Sequence, residues 1–356
     1  MQISLLEPIS TEQEEEKMMH MGFNIENRRY TGSKAKLTDW IFQIIKQECS
    51  GEVFADIFAG TGVVSAYASQ YFKKIIVNDI LFSNQVIYKA FFGNEKWDKE
   101  KVMSKIKFYK KLNSKSISEN FFSKNFGNKY FGLNDAKIIG FIREDVEKGK
   151  GKLNEKEYCI LLASLIYSID RISNTVGHYD AYIRKKPRDN LFNMELIETD
   201  NTKSKVEIYR DDANNLIRRI VADVVYIDPP YNSRQYSRFY HVLETLVKWE
   251  KPELFGTALK PKPENMSDYC RVKAIDMFED LISNLKCKYI VVSYNNTYES
   301  KSNSSRNKME LKDIREVLEE RGKIKVFNKS YQPFNSGKTT FDNHQEFIFL
   351  TKVNNI

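Results

Sequence analysis

The chain has 356 residues, of which 41% are hydrophobic and 29% are charged, and it carries a formal net charge of +8. This composition is normal for a soluble globular protein, and the length predicts two domains or one domain with a large insertion. No apolar run approaches the ~20 residues that span a bilayer, which excludes an integral membrane protein with transmembrane helices.

The N-terminus has no basic start followed by an apolar core, so we expect no signal peptide and a cytoplasmic protein. The four cysteines are scattered, form no metal-ligand spacing and predict reduced thiols without a metal: Cys49, Cys159, Cys270 and Cys287. The basic balance, with a pI near 9.0, favours an anionic partner, although a role in solubility would also explain it.

The first predicted helix follows a basic loop. Residues 1–26 contain an acidic run and are predicted to form a tail or a short solvated helix. Residues 27–34 form a loop with one glycine, and Ser33 is predicted to cap the helix that follows. Apolar residues at helical spacing give that helix one buried face: Leu37, Trp40, Ile41, Ile44 and Ile45. Taken alone, this segment is an ordinary capped helix.

A buried strand at residues 53–57 runs into a glycine turn. Gly60 and Gly62 allow the backbone to turn tightly and to approach a ligand closely. Asp56, together with the N-terminus of the next helix, can receive the ammonium and carboxylate groups of an amino-acid moiety. The run departs from the dinucleotide-binding fingerprint, because its pattern is Gly-x-Gly-x-x-Ser and the acid precedes the glycines.

A second buried strand at residues 75–79 ends in Asp79. An acid at this place in a βαβ unit holds the ribose hydroxyls of a nucleotide cofactor. Capping of the following helix is the alternative role for Asp79. The glycine turn upstream favours the role in ligand binding, because the two features together form one cofactor-binding unit.

The alternation of strands and helices stops between residues 89 and 205, which hold 24 Lys and Arg residues against 16 Asp and Glu residues. This excess of +8 equals the net charge of the whole chain. Aromatic residues are interleaved with the basic ones, and the segment is predicted to be a mostly helical insertion that grips phosphates and reaches base edges. A solvated helical lid without a special function is the alternative.

Within this segment, residues 171–180 are polar rather than basic. Asn174 is the kind of side chain that reads base edges in the major groove, although a structural turn explains the run equally well. The densest basic cluster follows this run closely and is predicted to clamp phosphates: Arg184, Lys185, Lys186 and Arg188.

The most specific run begins with four apolar residues, 224–227, which predict a strand buried on both faces. The strand ends in four residues at the edge where open α/β sheets bind their ligands: Asp228, Pro229, Pro230 and Tyr231. A carboxylate, a carbonyl held in direction by a proline ring and an aromatic face can together hold a planar exocyclic amine. A strand followed by a proline turn is the alternative.

The loop after the tetrad is dense in planar hydrogen-bonding side chains, namely Asn232, Arg234, Gln235 and Tyr236. The sheet is predicted to resume at residues 206–213 and to continue at 288–296 and 346–350, with a helix at 311–318. The polar loop at residues 332–343 is expected to lie over the site.

The order of these motifs resembles that of the Dam-like, alpha-class DNA adenine N6-methyltransferases: a cofactor loop, an Asp-x-Phe-x-Gly-x-Gly motif, an acidic strand, an insertion and the Asp-Pro-Pro-Tyr tetrad. Two polar runs, residues 171–180 and the loop after the tetrad, resemble segments of the restriction-modification branch that includes the NlaIII and FokI modification methylases. The resemblance covers residues 27–350 and implies an α/β fold. We expect a Rossmann-like S-adenosylmethionine-dependent methyltransferase sheet at residues 27–88 and 206–356, with a mostly helical target-recognition domain inserted at residues 89–205.

The resemblance also implies roles for individual residues. Tyr30 and Lys34 stand where relatives touch the methionine part of S-adenosylmethionine. Asp212 stands where they contact its adenine, with Asp211 as the alternative. The expected cofactor-binding residues are Tyr30, Lys34, Asp56, Phe58, Gly60, Gly62, Asp79, Asp212 and Asp228. The expected DNA-binding residues are Asn174, Arg184, Lys185, Lys186, Arg188, Asn232, Arg234, Gln235 and Tyr236.

We therefore expect a site-specific methyltransferase that moves a methyl group from S-adenosylmethionine to the N6 amine of an adenine flipped out of double-stranded DNA. In this function Tyr231 would stack on the flipped base. Methylation of adenine in RNA or of N4 of cytosine in DNA is an alternative, and so is a catalytically silent DNA-binding module of the same fold. The expected partners are double-stranded DNA and a separate cognate restriction endonuclease, without a membrane.

Overall fold

The computed structural model of the protein describes residues 22–199, 202–296, 306–330 and 344–354. Within these ranges the strands form one seven-stranded sheet. The strands are β1 (Val53–Asp56), β2 (Lys74–Asn78), β3 (Lys205–Tyr209), β4 (Val224–Ile227), β5 (Tyr289–Asn295), β6 (Gly322–Ser330) and β7 (Gln345–Val353). Each strand that the sequence predicts is present in the sheet.

The strand order is β3-β2-β1-β4-β5-β7-β6. Strands β1 to β5 pair in parallel, whereas β7 is antiparallel to both β5 and β6. The chain therefore builds the sheet outward from β1 in one direction and then from β4 in the other. The boundary between β1 and β4 is the topological switch point, where open α/β sheets bind their ligands at the carboxyl ends of the strands.

The α-helices of the described chain cover both faces of this sheet. They are α1 (Thr38–Glu48), α2 (Val63–Ala68), α3 (Phe82–Phe92), α4 (Lys99–Lys110), α5 (Phe121–Phe126), α6 (Leu133–Lys148), α7 (Glu155–Ile172), α8 (Ala213–Leu216), α9 (Tyr236–Phe239), α10 (His241–Lys248), α11 (Ala274–Asn284) and α12 (Leu311–Glu319). The predicted α/β fold, a Rossmann-like sheet with helices on both faces, is confirmed.

Alternation of side chains along the strands sends apolar residues to two separate cores. Phe54 and Val224 enter one apolar cluster, which also contains side chains of α1, α3, α7 and α10. Ala55 and Val225 enter the other cluster, which contains side chains of α8, α11 and α12. All four residues of β4 are buried, as expected for a central parallel strand covered on both faces.

The inserted segment joins the first of these clusters. Buried side chains of α4 to α7, among them Ile142 and Leu165, belong to the same contiguous apolar cluster as Phe54 of the sheet. The guanidinium of Arg143 in α6 also donates to the backbone carbonyls of Leu246 and Val247 at the end of α10. The segment is mostly helical, as predicted, and it extends one helical layer without a separate core.

Two local predictions need correction. Helix α1 begins at Thr38, with Leu37 as the preceding residue, so Ser33 is not its N-cap. Instead the hydroxyl of Ser33 accepts a hydrogen bond from the backbone N–H of Ala35 in a turn, at 3.4 Å. The predicted boundary at residues 88 and 89 falls inside α3. The predicted N-terminal tail lies almost wholly, and the loop at 332–343 wholly, outside the described residues.

Replacing Leu165 tests whether the segment and the sheet share one core. Leu165 is fully buried, so Leu165→Ala is expected to lower the free energy of unfolding by about 2–5 kcal/mol. Calorimetry should show this loss as a downward shift of one cooperative transition for the whole protein. Lys110→Ala at an exposed position is the control and should change little. Two transitions, of which only one shifts, would contradict a shared core.

Candidate active site at the carboxyl ends of the parallel strands

Four acidic side chains meet where the parallel strands end. Asp56 is the last residue of β1, Asp79 follows β2, Asp212 lies just beyond β3 and Asp228 follows β4. All four line one cleft at the carboxyl edge of the sheet, which includes about 870 Å³ of empty space when the solvent at its mouth is counted.

The loop at residues 30–34 and the glycine turn form the walls of this cleft. Gly60 has φ +53°, and a Cβ atom there would lie 3.2 Å from the ring of Tyr30, so the close approach requires glycine. Gly62 has φ +82°, and a Cβ atom there would meet Tyr88 at 3.0 Å. Gly62 is not among the residues that line the cleft. It shapes the turn into α2 rather than the surface that a ligand would touch.

Asp79 connects the glycine turn with the start of α3. Its carboxylate accepts hydrogen bonds from the backbone N–H groups of Gly60 at 3.0 Å and Leu81 at 2.9 Å. Burial raises the pKa of Asp79 to about 6, while these N–H donors oppose the rise. The structure thus gives this carboxylate a structural role and also places it in the wall of the cleft, so the two roles that the sequence left open are compatible.

Asp56 carries the more strongly perturbed carboxyl group. It is 1% exposed, and one oxygen accepts a hydrogen bond from the hydroxyl of Ser65 at 2.8 Å. Its other oxygen is buried without a hydrogen-bond partner among the described residues. Burial, together with the smaller effect of the nearby Asp228 and Asp79, raises the pKa of Asp56 to about 8. A buried carboxyl group of this kind favours a cationic donor as its ligand.

The end of β3 offers two acids to the cleft, and both line it. Asp212 caps α8 by accepting from the N–H groups of Asn214 and Asn215. Asp211 pairs with Arg219, and its backbone is held by the amide side chain of Asn78. The choice between Asp211 and Asp212 as the residue that touches the ligand therefore stays open.

Asp228, Lys34 and Tyr231 form a compact polar cluster at the other side of the cleft. The ammonium group of Lys34 lies 3.0 Å from a carboxylate oxygen of Asp228 and donates to the hydroxyl of Tyr231 at 2.8 Å. The hydroxyl of Tyr231 donates in turn to that carboxylate. Burial raises the pKa of Asp228, and the charge of Lys34 opposes this rise. Lys34 therefore favours an ionised carboxylate next to the cleft.

Within the tetrad, the side chain of Tyr231 contacts that of Asp228. An oxygen of Asp228 that could accept a hydrogen bond from a substrate amine is occupied by the hydroxyl of Tyr231. The ring of Tyr231 packs edge-on against Tyr294, with 4.6 Å between the ring centroids. Pro230 lines the cleft beside Asp228. A planar amine that took the place of the Tyr231 hydroxyl at this oxygen would release the aromatic ring for stacking.

An aromatic stack supports Tyr30. Its ring is nearly parallel to that of Tyr240, with 4.5 Å between centroids, and stacks on Tyr236 at 5.4 Å. The hydroxyl of Tyr236 donates to the carbonyl of Thr31, whose N–H donates to the hydroxyl of Tyr240. Tyr236, expected to contact DNA, thus lines the cleft together with Tyr30.

Gln235 makes a structural interaction that the sequence did not reveal. Its side chain donates to the carbonyl of Ser267 and accepts from the N–H of the same residue, both at 2.8 Å. This pairing brings Asn265 and Ser267 into the wall of the cleft. Neither residue belongs to a recognisable motif, whereas Asn78, which also lines the cleft, was signalled by its place beside Asp79 at the end of a strand.

The two polar runs that the sequence singled out meet in space. The backbone N–H of Tyr179 donates to the carbonyl of Phe239 at 2.7 Å, and the ring of His178 stacks on Phe239 with 4.4 Å between centroids. The guanidinium of Arg234 lies 5.7 Å from the centroid of the same Phe239 ring. Asn232 accepts from the backbone N–H of Arg234 and shapes the loop. The run at 171–180 therefore joins the loop after the tetrad.

Asn174 does not stand ready to read bases in this structure. Its amide nitrogen donates to the backbone carbonyls of Lys129, Ile183 and Lys185, so its side chain holds a loop in place. That loop carries the predicted phosphate clamp, whose four side chains are all exposed: Arg184, Lys185, Lys186 and Arg188. Of the two roles that the sequence left open for Asn174, the structure supports that of a structural turn.

The part of the chain that the structure describes contains neither a candidate metal site nor a helix that could span a membrane. No group of three or more His, Cys, Asp or Glu side chains there could hold a metal ion. No helix among these residues combines the length and the apolar character that a membrane span requires.

The strand order and the acidic cleft at the switch point define a Rossmann-like α/β protein with a ligand site at the carboxyl edge of its sheet. A family model described as D12 class N6 adenine-specific DNA methyltransferase matches residues 30–301. This match covers more than half of the chain, so the chain belongs to that family, as the sequence predicted.

Three methyltransferases show the extent of the similarity. M.FokI of Planomicrobium okeanokoites is 32% identical over 348 residues, which cover 90% of this chain and 52% of the relative. M.NlaIII of Neisseria lactamica is 29% identical over 89% of this chain and 95% of the relative. M.CviAII of Paramecium bursaria Chlorella virus 1 is 30% identical over 91% of this chain and 98% of the relative. The chain thus spans about half the length of M.FokI and nearly all of the other two.

The hydrogen bonds of Asn174 predict the effect of its removal. Asn174→Ala should loosen residues 183–186, because three hydrogen bonds to backbone carbonyls disappear. Hydrogen exchange of the amides in this loop is expected to accelerate roughly tenfold, which corresponds to about 1–2 kcal/mol. Asn193→Ala is a matched control, since the amide of this exposed residue donates to the side chain of Glu195 and to no backbone carbonyl among the described residues. Unchanged exchange in the loop of Asn174→Ala would refute the structural role.

Proposed function

We propose that the protein is a DNA adenine N6-methyltransferase that uses S-adenosylmethionine. The observation that carries this proposal is the position of Asp228, Pro229, Pro230 and Tyr231. The tetrad stands at the carboxyl end of β4, beside a cleft that four further acids line. A base-binding corner and a cofactor cleft therefore share one edge of the sheet, as a direct transfer between two bound molecules requires.

The residues of the cleft fit the functional groups of this cofactor. Asp79 would accept hydrogen bonds from the ribose hydroxyls, and Asp56 would receive the ammonium group of the methionine part. Asp212 or Asp211 would contact the adenine, and Tyr30 and Phe58 would provide apolar contacts. Gly60 allows the backbone to approach closely. S-adenosylmethionine supplies a methyl group on a positively charged sulfur, which suits a cleft lined by carboxylates.

Catalysis would depend on holding the amine rather than on a covalent enzyme intermediate. Asp228 and the carbonyl of Pro229 accept hydrogen bonds from the N6 amine and direct its lone pair toward the methyl group. Tyr231 leaves Asp228 and stacks on the base. Lys34 favours the ionised form of Asp228, as its distance of 3.0 Å indicates. The acceleration would come from positioning and from preorganised charge.

The surface formed by the inserted segment and the loop after the tetrad would bind the DNA. The exposed cluster at residues 184–188 would contact phosphates, and Arg234 would reach the duplex beside the flipped base. Asn174 would act by shaping the loop that carries the cluster. Gln235 and Tyr236 would act mainly on the wall of the cleft, because their side chains are already bonded to Ser267 and Thr31.

The family description favours adenine in DNA over the alternative substrates. The relatives M.FokI and M.NlaIII are named type II methyltransferases, and StsI is named a modification methylase. We therefore include a separate cognate restriction endonuclease in the proposal. The intact tetrad and the perturbed acids of the cleft speak against a silent DNA-binding module.

Removal of the Asp228 carboxylate tests the proposed catalytic role. Asp228→Ala should abolish transfer of labelled methyl groups to duplex DNA, because the amine loses its charged acceptor. Binding of S-adenosylhomocysteine, measured by calorimetry, should stay within a few-fold of the wild type, since this carboxylate serves the target amine. Asp276→Ala, an exposed acid in α11, is the control and should retain full transfer. Near-normal turnover of Asp228→Ala would overturn the assignment.

The pKa of Asp56 predicts a pH dependence of cofactor binding. At about 8, this pKa leaves the carboxyl group largely protonated at pH 7. An ammonium ligand favours the ionised form, so binding releases a proton and strengthens as the pH rises. Between pH 6 and 7.5 the affinity for S-adenosylhomocysteine should rise by up to about tenfold per pH unit. Calorimetry in two buffers of different ionisation enthalpy should reveal the released proton.

Asp56→Asn separates this carboxyl group from the other titrating groups. The variant should bind more weakly at pH 7.5 and should show a nearly flat pH profile in the same range. A wild-type affinity that does not change with pH would argue against an interaction between Asp56 and the ammonium group. A steep profile that persists in Asp56→Asn would assign the titration to another residue, such as Asp79.

Neutralising the exposed basic cluster tests the proposed grip on DNA. A variant with Ala at Arg184, Lys185, Lys186 and Arg188 should bind every duplex more weakly. The slope of the logarithm of affinity against the logarithm of salt concentration should fall by about one unit for each phosphate that the variant no longer neutralises. The control removes four exposed lysines elsewhere: Lys273, Lys286, Lys312 and Lys323. An unaltered slope in the cluster variant would place the grip elsewhere.

A further inference from the structure

A buried ion pair joins the cleft to the inserted segment. Nε of Arg28 lies 3.6 Å from Oδ2 of Asp170, and the two side chains are 0% and 3% exposed. Arg28 belongs to the loop that leads into the cleft, whereas Asp170 lies in the last turn of α7 in the inserted segment. A buried ion pair adds little net stability, because the cost of desolvation offsets the attraction between the charges. Separating the two side chains would leave uncompensated buried charges, so the pair constrains the relative position of the two elements.

On one side, Arg28 holds the wall of the cleft. Its Nη1 donates to the side-chain oxygen of Asn84 at 3.0 Å, and the amide nitrogen of Asn84 donates to the hydroxyl of Tyr30 at 3.3 Å. The guanidinium also lies over the rings of Tyr30 and Tyr240, at 5.2 and 5.9 Å from their centroids. The position of Tyr30 in the cleft therefore depends on Arg28.

On the other side, Asp170 holds the polar run of the inserted segment. Its Oδ1 accepts a hydrogen bond from the hydroxyl of Tyr179 at 2.8 Å, within the protein interior. The backbone of Tyr179 is bonded to Phe239 through its N–H and to the hydroxyl of Tyr130 through its carbonyl. The two oxygens of one carboxylate thus have different partners: Oδ2 lies next to Arg28, which holds the wall of the cleft, and Oδ1 binds Tyr179 in the polar run.

We propose that Arg28, Asp170 and Tyr179 are positioning residues that couple occupancy of the cofactor cleft to engagement of DNA. A ligand that packs against Tyr30 restricts Arg28, and through the shared carboxylate it restricts Tyr179 and the run at 171–180. Part of the free-energy cost of ordering the DNA-binding surface is then met before DNA binds. The reverse holds equally, because coupling between two binding sites is reciprocal. This inference rests on the proposed function.

Tyr179→Phe is the sharpest variant, because it removes one hydroxyl and keeps the ring in the core. The measurement is the affinity for S-adenosylhomocysteine in the presence and absence of a short duplex that carries a sequence methylated by the wild type. In the wild type the duplex should tighten binding at least about fivefold. In Tyr179→Phe the duplex should change the affinity for S-adenosylhomocysteine by less than about twofold. The affinity without DNA should differ from that of the wild type by less than about twofold.

A matched control separates coupling from general loosening. Tyr109→Phe deletes a hydrogen bond of the same kind, from a buried tyrosine hydroxyl to the carboxylate of Asp145 at 2.6 Å, in the same helical layer. This control should keep the wild-type factor. Asp170→Asn should lose the coupling as well, because the charge that holds Arg28 is gone. If Asp170→Asn does not fold, Tyr179→Phe and its control still decide the matter.

The outcomes distinguish this inference from the proposed function. A wild-type factor retained in Tyr179→Phe would overturn the coupling, and so would an equal loss in Tyr179→Phe and Tyr109→Phe. A duplex that the wild type methylates without any effect on cofactor affinity would also overturn it. Failure of the wild type to methylate any DNA would instead refute the proposed function, and no duplex could then be chosen for the coupling measurement.

Discussion

Parallel pairing of β1 with β4 at the centre of the sheet determines where the chemistry can occur. The chain leaves β1 toward β2 and β3 but leaves β4 toward β5, so the connections diverge and a crevice opens above these two strands. Asp56 ends β1 and Asp228 follows β4, so both carboxyl groups lie in that crevice. The strand topology therefore sets the position of the site. The glycine turn, the proline turn and other loops form its walls.

Burial gives the carboxyl groups of this crevice their chemical character. Desolvation raises the pKa of Asp56 and Asp79, while backbone N–H groups and the hydroxyl of Ser65 compensate only in part. Asp228 differs because the ammonium of Lys34 stands directly beside it. The cleft is thus poised to gain charge when a cationic ligand arrives, whereas the corner at Asp228 already holds a charge pair. In the proposed function, cofactor binding and catalysis are therefore separated by electrostatics as well as by position.

Much of this arrangement followed from the sequence, because each strand carries its own functional residues at its end. The buried run 224–227, the glycine turn and Asp79 indicated the strands, the cleft and the family. Interactions between distant segments left no such signal. Gln235 binds Ser267, which lies beyond α10 in the sequence, and Arg28 pairs with Asp170 in the inserted segment. The side-chain amide of Asn174 donates to backbone carbonyls. A helix cap at Ser33 was wrong, because the turn continues to Leu37 before the helix begins.

We propose that the edge of the sheet at Asp228 methylates the N6 amine of adenine in duplex DNA. Nucleoside analysis of duplex DNA after incubation with the protein and S-adenosylmethionine tests it most directly. We predict that the digest contains N6-methyladenine, and that a double-stranded substrate is methylated faster than an RNA of the same sequence. A digest that contains N4-methylcytosine in its place, or no methylated base at all, would contradict the claim.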